Sequence, residues 1–177
     1  TVSVETYRRD ADYARGLQDK LRALDRTALD DQDQISYDIF AMLLQNTITE
    51  FALDDHLIPF TSDTGFHIGF PRLANDMPFD TVKDYENYAA RLKAFPTYVA
   101  EHIALMEEGL AKGMTQPKVV VQRAMGTFTA HVVADLDKSE LHKPFANLPE
   151  SFSAEERSRL ESLGQEAVAA VVAGYAT

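Results

Sequence analysis

The sequence contains no cysteine. That excludes a disulfide framework and a thiolate zinc site, and it leaves the compartment open. Long apolar runs are also missing: none approaches the roughly 20 residues that a membrane-spanning helix needs, so no membrane span is expected. No signal peptide is visible, but the chain opens on Thr1 rather than methionine, and removal of the true start is the expectation. Basic residues are scarce, with 17 Lys and Arg against 28 Asp and Glu for a net charge of −11. No basic patch stands out, so nucleic acid is not an expected partner. Signatures of chemistry are absent as well. There is no G-x-S-x-G elbow, no phosphate-cradling P-loop and no dinucleotide fingerprint. A zinc-protease helix needs histidines at i and i+4 with a glutamate beside the first. His102 follows Glu101, but the position four residues on is Met106. No catalytic residue and no metal-ligand set is assigned.

What is present is helical periodicity over a chain that is 45% hydrophobic, enough to build a core. Tyr7, Ala11, Ala14, Leu17, Leu21 and Leu24 step by three and four and predict a helix near 3–23. Ile35, Ile39 and Met42 form one stripe and Phe40, Leu44, Ile48 and Phe51 another. Together they predict a helix over 31–52 that is buried on several sides. Thr81 and Asp84 read as a capping box that opens a helix over 81–111, with Tyr85, Tyr88, Leu92, Phe95, Val99, Ile103, Met106 and Leu110 on its apolar stripe. Pro96 should kink or split it. The aromatic members of that stripe, with Tyr98, read as core or as the wall of a groove. Pro117 suits the start of a helix over 117–136 whose stripe is Val121, Met125, Phe128 and Val132. Ser153 and Glu156 form a second capping box, opening a helix over 153–176. That helix is still apolar at Val171, Val172 and Tyr175.

The expected fold is therefore all-α, an irregular bundle of about five main helices, forming one helical region over 1–177. The last helix has no glycine, proline or polar stop, so a truncated longer chain is expected. Self-association through the exposed apolar face of that helix (Val168, Val171, Val172 and Tyr175) follows from this reading.

Residues 53–80 lose the period and contain three prolines and two glycines. Long aperiodic segments are often functional, the alternative being a packed Ω-like loop held by Phe60, Phe66, Ile68 and Phe70. Gly65 to Gly69 is a glycine-flanked run with no strand before it and no helix expected directly after it. The segment falls in the most acidic stretch: residues 34–80 carry one basic side chain, Arg72, against seven acidic ones. It is a solvated surface or a wall attracting cations or peptide amines. His56 and His67 lie here with Asp54, Asp55 and Asp63. Two imidazoles and a carboxylate can ligate a metal, but a spacing of eleven residues favours loop hydrogen bonding or a cleft lining. His131 reads as a packed or surface histidine, and His142 beside Lys143 as a surface one.

Several stretches together resemble a known family. Asp84-Tyr85-Glu86-Asn87-Tyr88-Ala89-Ala90-Arg91-Leu92 followed by Phe95-Pro96 resembles a D-Y-x-x-Y-x-x-R-L…F-P segment. Leu57-Ile58-Pro59 with Gly65 resembles its L-P…G loop. Glu108-Gly109 through Gly113 to Pro117 resembles its E-G-x-x-x-G…P junction. Lys143-Pro144-Phe145 with Leu148-Pro149 resembles its P-F…L-P connection. These are similar to the N-terminal half of bacterial domain-of-unknown-function family 885. The resemblance implies part of a larger helical fold of the zinc metallopeptidase-like kind, often exported or lipid-anchored, hence a periplasmic or exported setting. Zinc would serve the intact parent through an H-E-x-x-H-type helix in its C-terminal half, and no cofactor falls to this chain. The remainder of the parent chain would be its partner. The present residues would form a scaffold and one wall of a substrate cleft, with His56, Asp63, Gly65, His67 and Arg91 as candidates to line it. The alternative is a free-standing helical module that binds a protein or a small ligand.

Overall fold

The computed structural model describes residues 2–177. Among the described residues the chain is helical without a strand, its one β feature being an isolated antiparallel bridge between Phe60 and Gly65. The all-α irregular bundle read from periodicity is the observed class. Backbone contacts divide the chain into two compact units. One holds the residues up to Pro59 with Ala104–Met114; the other holds Phe60–Ile103 with Thr115–Thr177.

The first unit is built on a helix pair. Helix α1 (Val4–Arg22) starts where Ser3 accepts the Thr6 amide at 3.2 Å, and α2 (Asp31–Ala52) where Asp30 accepts the Asp33 amide at 2.9 Å. Each cap satisfies a backbone donor that the helix cannot. Ala11 and Ala14 are buried where α1 packs on α2. The connection is tied by Arg26, whose guanidinium donates to both Asp38 oxygens at 2.8 and 2.6 Å and to Gln34 at 2.8 Å. The expectation that α2 is buried on several sides is corrected here. Leu44 is its buried member, while Ile35, Ile39, Phe40, Met42 and Leu43 are exposed. A helix covered by one neighbour buries one stripe, however apolar its other faces are. Lower in the same unit Leu57 is buried against Gly109, where an added Cβ would stand 3.0 Å from the Leu57 carbonyl oxygen.

Residues 53–80 are more helical than their composition suggests. A 3-10 turn covers Asp55–Leu57, helix α3 covers Phe66–Gly69, and a further 3-10 segment covers Phe70–Asp76. Helix therefore follows Gly65 directly, correcting the expectation for the glycine-flanked run. The following long stripe is two helices, α4 (Val82–Lys93) and α5 (Phe95–Lys112). Pro96 stands in the first turn of α5, where its missing N–H costs nothing, so the chain breaks at Ala94 rather than kinking. Both capping boxes are formed, Thr81 with Asp84 on α4 and Ser153 with Glu156 on the last helix.

In the second unit the last helix, α8 (Ala154–Tyr175), packs along α4. Tyr88, Leu92, Phe95, Phe145, Leu160, Val168 and Val171 form the core between and around them. Gly164 and Gly174 permit the approach. A Cβ on Gly164 would fall 2.7 Å from Phe145 Cδ2, and one on Gly174 would fall 2.8 Å from Phe95 Cδ1. Tyr88 donates to the Leu141 carbonyl at 3.1 Å, and Tyr175 to the His67 carbonyl at 3.1 Å. The expected exposed face of the last helix is thereby overturned: Val168, Val171 and Tyr175 are buried and Val172 packs against the same core. Those side chains are taken up by the core of the chain itself.

Helix α6 (Lys118–Thr129) is shorter than expected, ending at Ala130. Its buried side is set by Ala124, with Phe128 packed on the core, while Val121 and Met125, and Val132 beyond its end, are exposed. Two 3-10 turns, Leu136–Lys138 and Glu140–His142, and the short helix α7 (Lys143–Ala146) then lead to α8.

Candidate functional site

The site begins with a turn. Thr61 donates its backbone N–H to the Thr64 carbonyl at 2.8 Å and its hydroxyl to Asp63 Oδ1 at 3.0 Å. Gly65 follows at φ 131°, a conformation that a side chain would strain. The chain can then start α3 at Phe66 with no spacer. Gln116 holds the entry of the turn by donating to the Phe60 carbonyl at 2.8 Å.

This arrangement sets Phe66, Phe70 and Leu73 across from Arg91, Ala94, Phe95 and Tyr98, at the junction of α4 and α5. Between them lies an open groove of about 550 Å³, to whose wall Gly65 and Gly69 also contribute backbone. That volume suits a small organic ligand or a pair of peptide side chains. The walls are apolar and aromatic. Phe70 lies 4.1 Å from Phe95 between ring centroids. Among the described residues that line it, Arg91 is the one that is charged. Neighbouring cations of the same unit are committed, Lys93 to Glu166 at 2.7 Å and Arg159 to Glu86 at 2.9 Å. Arg91 is exposed and makes no ion pair among the described residues. A guanidinium beside an apolar wall and without a carboxylate of its own can donate two N–H groups to an anionic group in bidentate fashion.

Of the candidate lining residues, Gly65 and Arg91 border this groove. Asp63 is exposed and serves the turn. His67 is fully buried and does not line it. Its ring stacks on Phe128 at 4.4 Å and 7° and meets Phe60 edge-on at 5.5 Å. Neither ring nitrogen has a hydrogen-bond partner among the described residues. Burial lowers its pKa, and His131 lowers it further, so it is neutral near pH 7. His102 behaves similarly, stacked on Phe66 at 4.3 Å and 7° and edge-on to Tyr98 at 4.5 Å, with its pKa lowered mainly by burial. His131 leans on Tyr175 at 4.8 Å and is likewise lowered by burial. His56 belongs to the other unit, where it stacks with Tyr7 and with Phe51 at 5.2 Å each. Burial lowers its pKa against the opposing pull of Asp54, 4.0 Å away. His142 is buried rather than at the surface, its Nε2 within 3.2 Å of the Gln165 amide and its Nδ1 3.4 Å from Asp137.

Two parts of the site escaped the sequence reading. The pairing of Phe66 and Phe70 with the α4–α5 junction was invisible, because it joins segments with different local structure. His102 carries no metal motif, and its spacing of four from Tyr98 is the usable sign of a shared face. Among the described residues, no group of three or more His, Asp or Glu side chains is placed to hold a metal ion.

Compared with known proteins, the chain matches over residues 1–177 the family model described as "Bacterial protein of unknown function (DUF885)". No curated protein and no solved structure matches it.

Proposed function

The chain belongs to DUF885, and from that membership together with the groove we propose that it is the helical scaffold and one cleft wall of a zinc metallopeptidase-like protein, without peptidase activity of its own. The observation that carries the reading is the apolar groove between α3 and the α4–α5 junction, with unpaired Arg91 on its border. Such a surface holds a peptide by its side chains and does no bond chemistry. The zinc implied by the resemblance does not fit the residues present: the sequence has no H-E-x-x-H helix, and its buried imidazoles are packed against aromatic rings. No chemical step is assigned to a metal held by these residues.

The test is a titration of isotope-labelled chain with an end-capped peptide mixture rich in Leu and Phe, followed by amide NMR. Shifts should concentrate at Gly65, Gly69, Ala94 and Tyr98. Uniform or absent shifts at millimolar peptide would reject the cleft-wall reading. A second reading, a free-standing ligand-binding module, draws support from the fact that every lining residue lies within one unit. It is favoured if a small apolar carboxylate that is not a peptide binds the groove and no peptide does, whether capped or with a free C-terminus.

A further inference from the structure

Resting on the cleft-wall reading, we propose that the groove selects the free C-terminal end of a peptide whose last residue is bulky and apolar. The argument is one of charge and shape together. Apolar and aromatic side chains from Phe66, Phe70, Leu73 and Phe95 offer a place for a leucine- or phenylalanine-sized group. Arg91 supplies an uncommitted positive charge at the same groove. In an aspartate or glutamate side chain the carboxylate replaces the apolar group. In the last residue of a peptide, the α-carboxylate and the apolar side chain leave the same Cα. A groove with one cation beside an apolar wall engages both at once.

Gly69 makes the proposal open to a clean block. It lines the groove, its φ is −71°, and a Cβ there would meet no atom within 4 Å. A larger side chain at this position can enter the open space without disturbing the core. Arg91 is exposed and unpaired, so its replacement should leave the fold intact.

The experiment uses calorimetry and NMR with N-acetyl-Leu-Phe as free acid and as carboxamide, on the native chain and on Arg91→Gln, Arg91→Lys and Gly69→Leu. Circular dichroism and melting temperature confirm that each variant is folded. The acid should bind roughly tenfold tighter than the amide, the scale of one charge-assisted hydrogen bond. Added salt should narrow that difference. Arg91→Gln should abolish it, Arg91→Lys should keep part of it, and Gly69→Leu should weaken both ligands. Equal binding of acid and amide to the native chain overturns the carboxylate assignment and leaves the cleft-wall reading standing. So does binding of capped longer peptides when neither dipeptide binds. If no peptide of any kind shifts the groove resonances, both readings fall.

Discussion

Replacing Gly164 by alanine tests how closely α8 packs. In a solvent-facing helix interior, glycine to alanine stabilises by roughly 0.5–1 kcal/mol, because the unfolded chain loses freedom. At Gly164 that gain meets the Phe145 ring. The new Cβ would fall inside contact distance of Cγ, 2.7 Å from Cδ2 and 2.8 Å from the Phe145 Cβ. Phe145 is 1% exposed and its ring lies 5.6 Å from Tyr88 and 6.0 Å from Tyr85, so it has nowhere to swing. Overpacking of this kind costs about 1–3 kcal/mol. The net expectation for Gly164→Ala is a loss of about 1–2 kcal/mol. The control is Gly126→Ala on α6, where an added Cβ meets nothing within 4 Å. It should gain roughly 0.5–1 kcal/mol. Guanidinium unfolding followed by circular dichroism reads both, as shifts of midpoint in opposite directions at unchanged slope. A third measurement isolates the cause: in a Phe145→Leu background, Gly164→Ala should cost less than in the native one. Should Gly164→Ala raise the midpoint as Gly126→Ala does, the close packing of α8 on Phe145 is wrong.

Two further outcomes are expected. Stability should fall with acidity through the histidine range. His67, His102 and His131 have pKa values lowered by burial from the ordinary 6.5, so below that value the unfolded chain binds protons that the folded chain refuses. Their contribution is present above about pH 6.5 and is lost as pH falls towards the lowered values. Melting temperatures between about pH 7 and pH 5.5, above the carboxylate range, should decline, and His102→Phe should flatten the decline; a level profile in the native chain would refute the assignment. Tyr88→Phe removes the donor to the buried Leu141 carbonyl, so it should cost about 1–2 kcal/mol. A change under half of that would mean the carbonyl finds another partner.

Local chemistry was legible in the sequence, and the reason is its short range. Thr81 with Asp84 and Ser153 with Glu156 close their capping boxes within one turn, so neither needs the rest of the fold. The break before Pro96 is equally local. Periodicity identified the apolar faces of α2 and α8 but could not say which would be covered. The two helices came out opposite to expectation, because Gly164 and Gly174 admit aromatic rings from distant segments onto α8.

The candidate site divides along the same line. Gly65 was marked by its place in the aperiodic segment, and its φ of 131° shows why a glycine stands there. Arg91 entered through the family resemblance alone. His67 looked like a cleft residue because an imidazole among acidic loop residues suggests polar work. Its burial depends on Phe128, 61 positions on, whose ring covers it face to face. Sequence alone determined where the capped helices α4 and α8 start and that the long stripe breaks near Pro96, since those choices rest on hydrogen bonds and torsions a few residues apart. Only the tertiary structure decided which apolar stripes meet and which histidines lose water. It alone decided that Arg91 would stand unpaired beside a groove, because burial and charge pairing are settled by neighbours that the order of residues does not name.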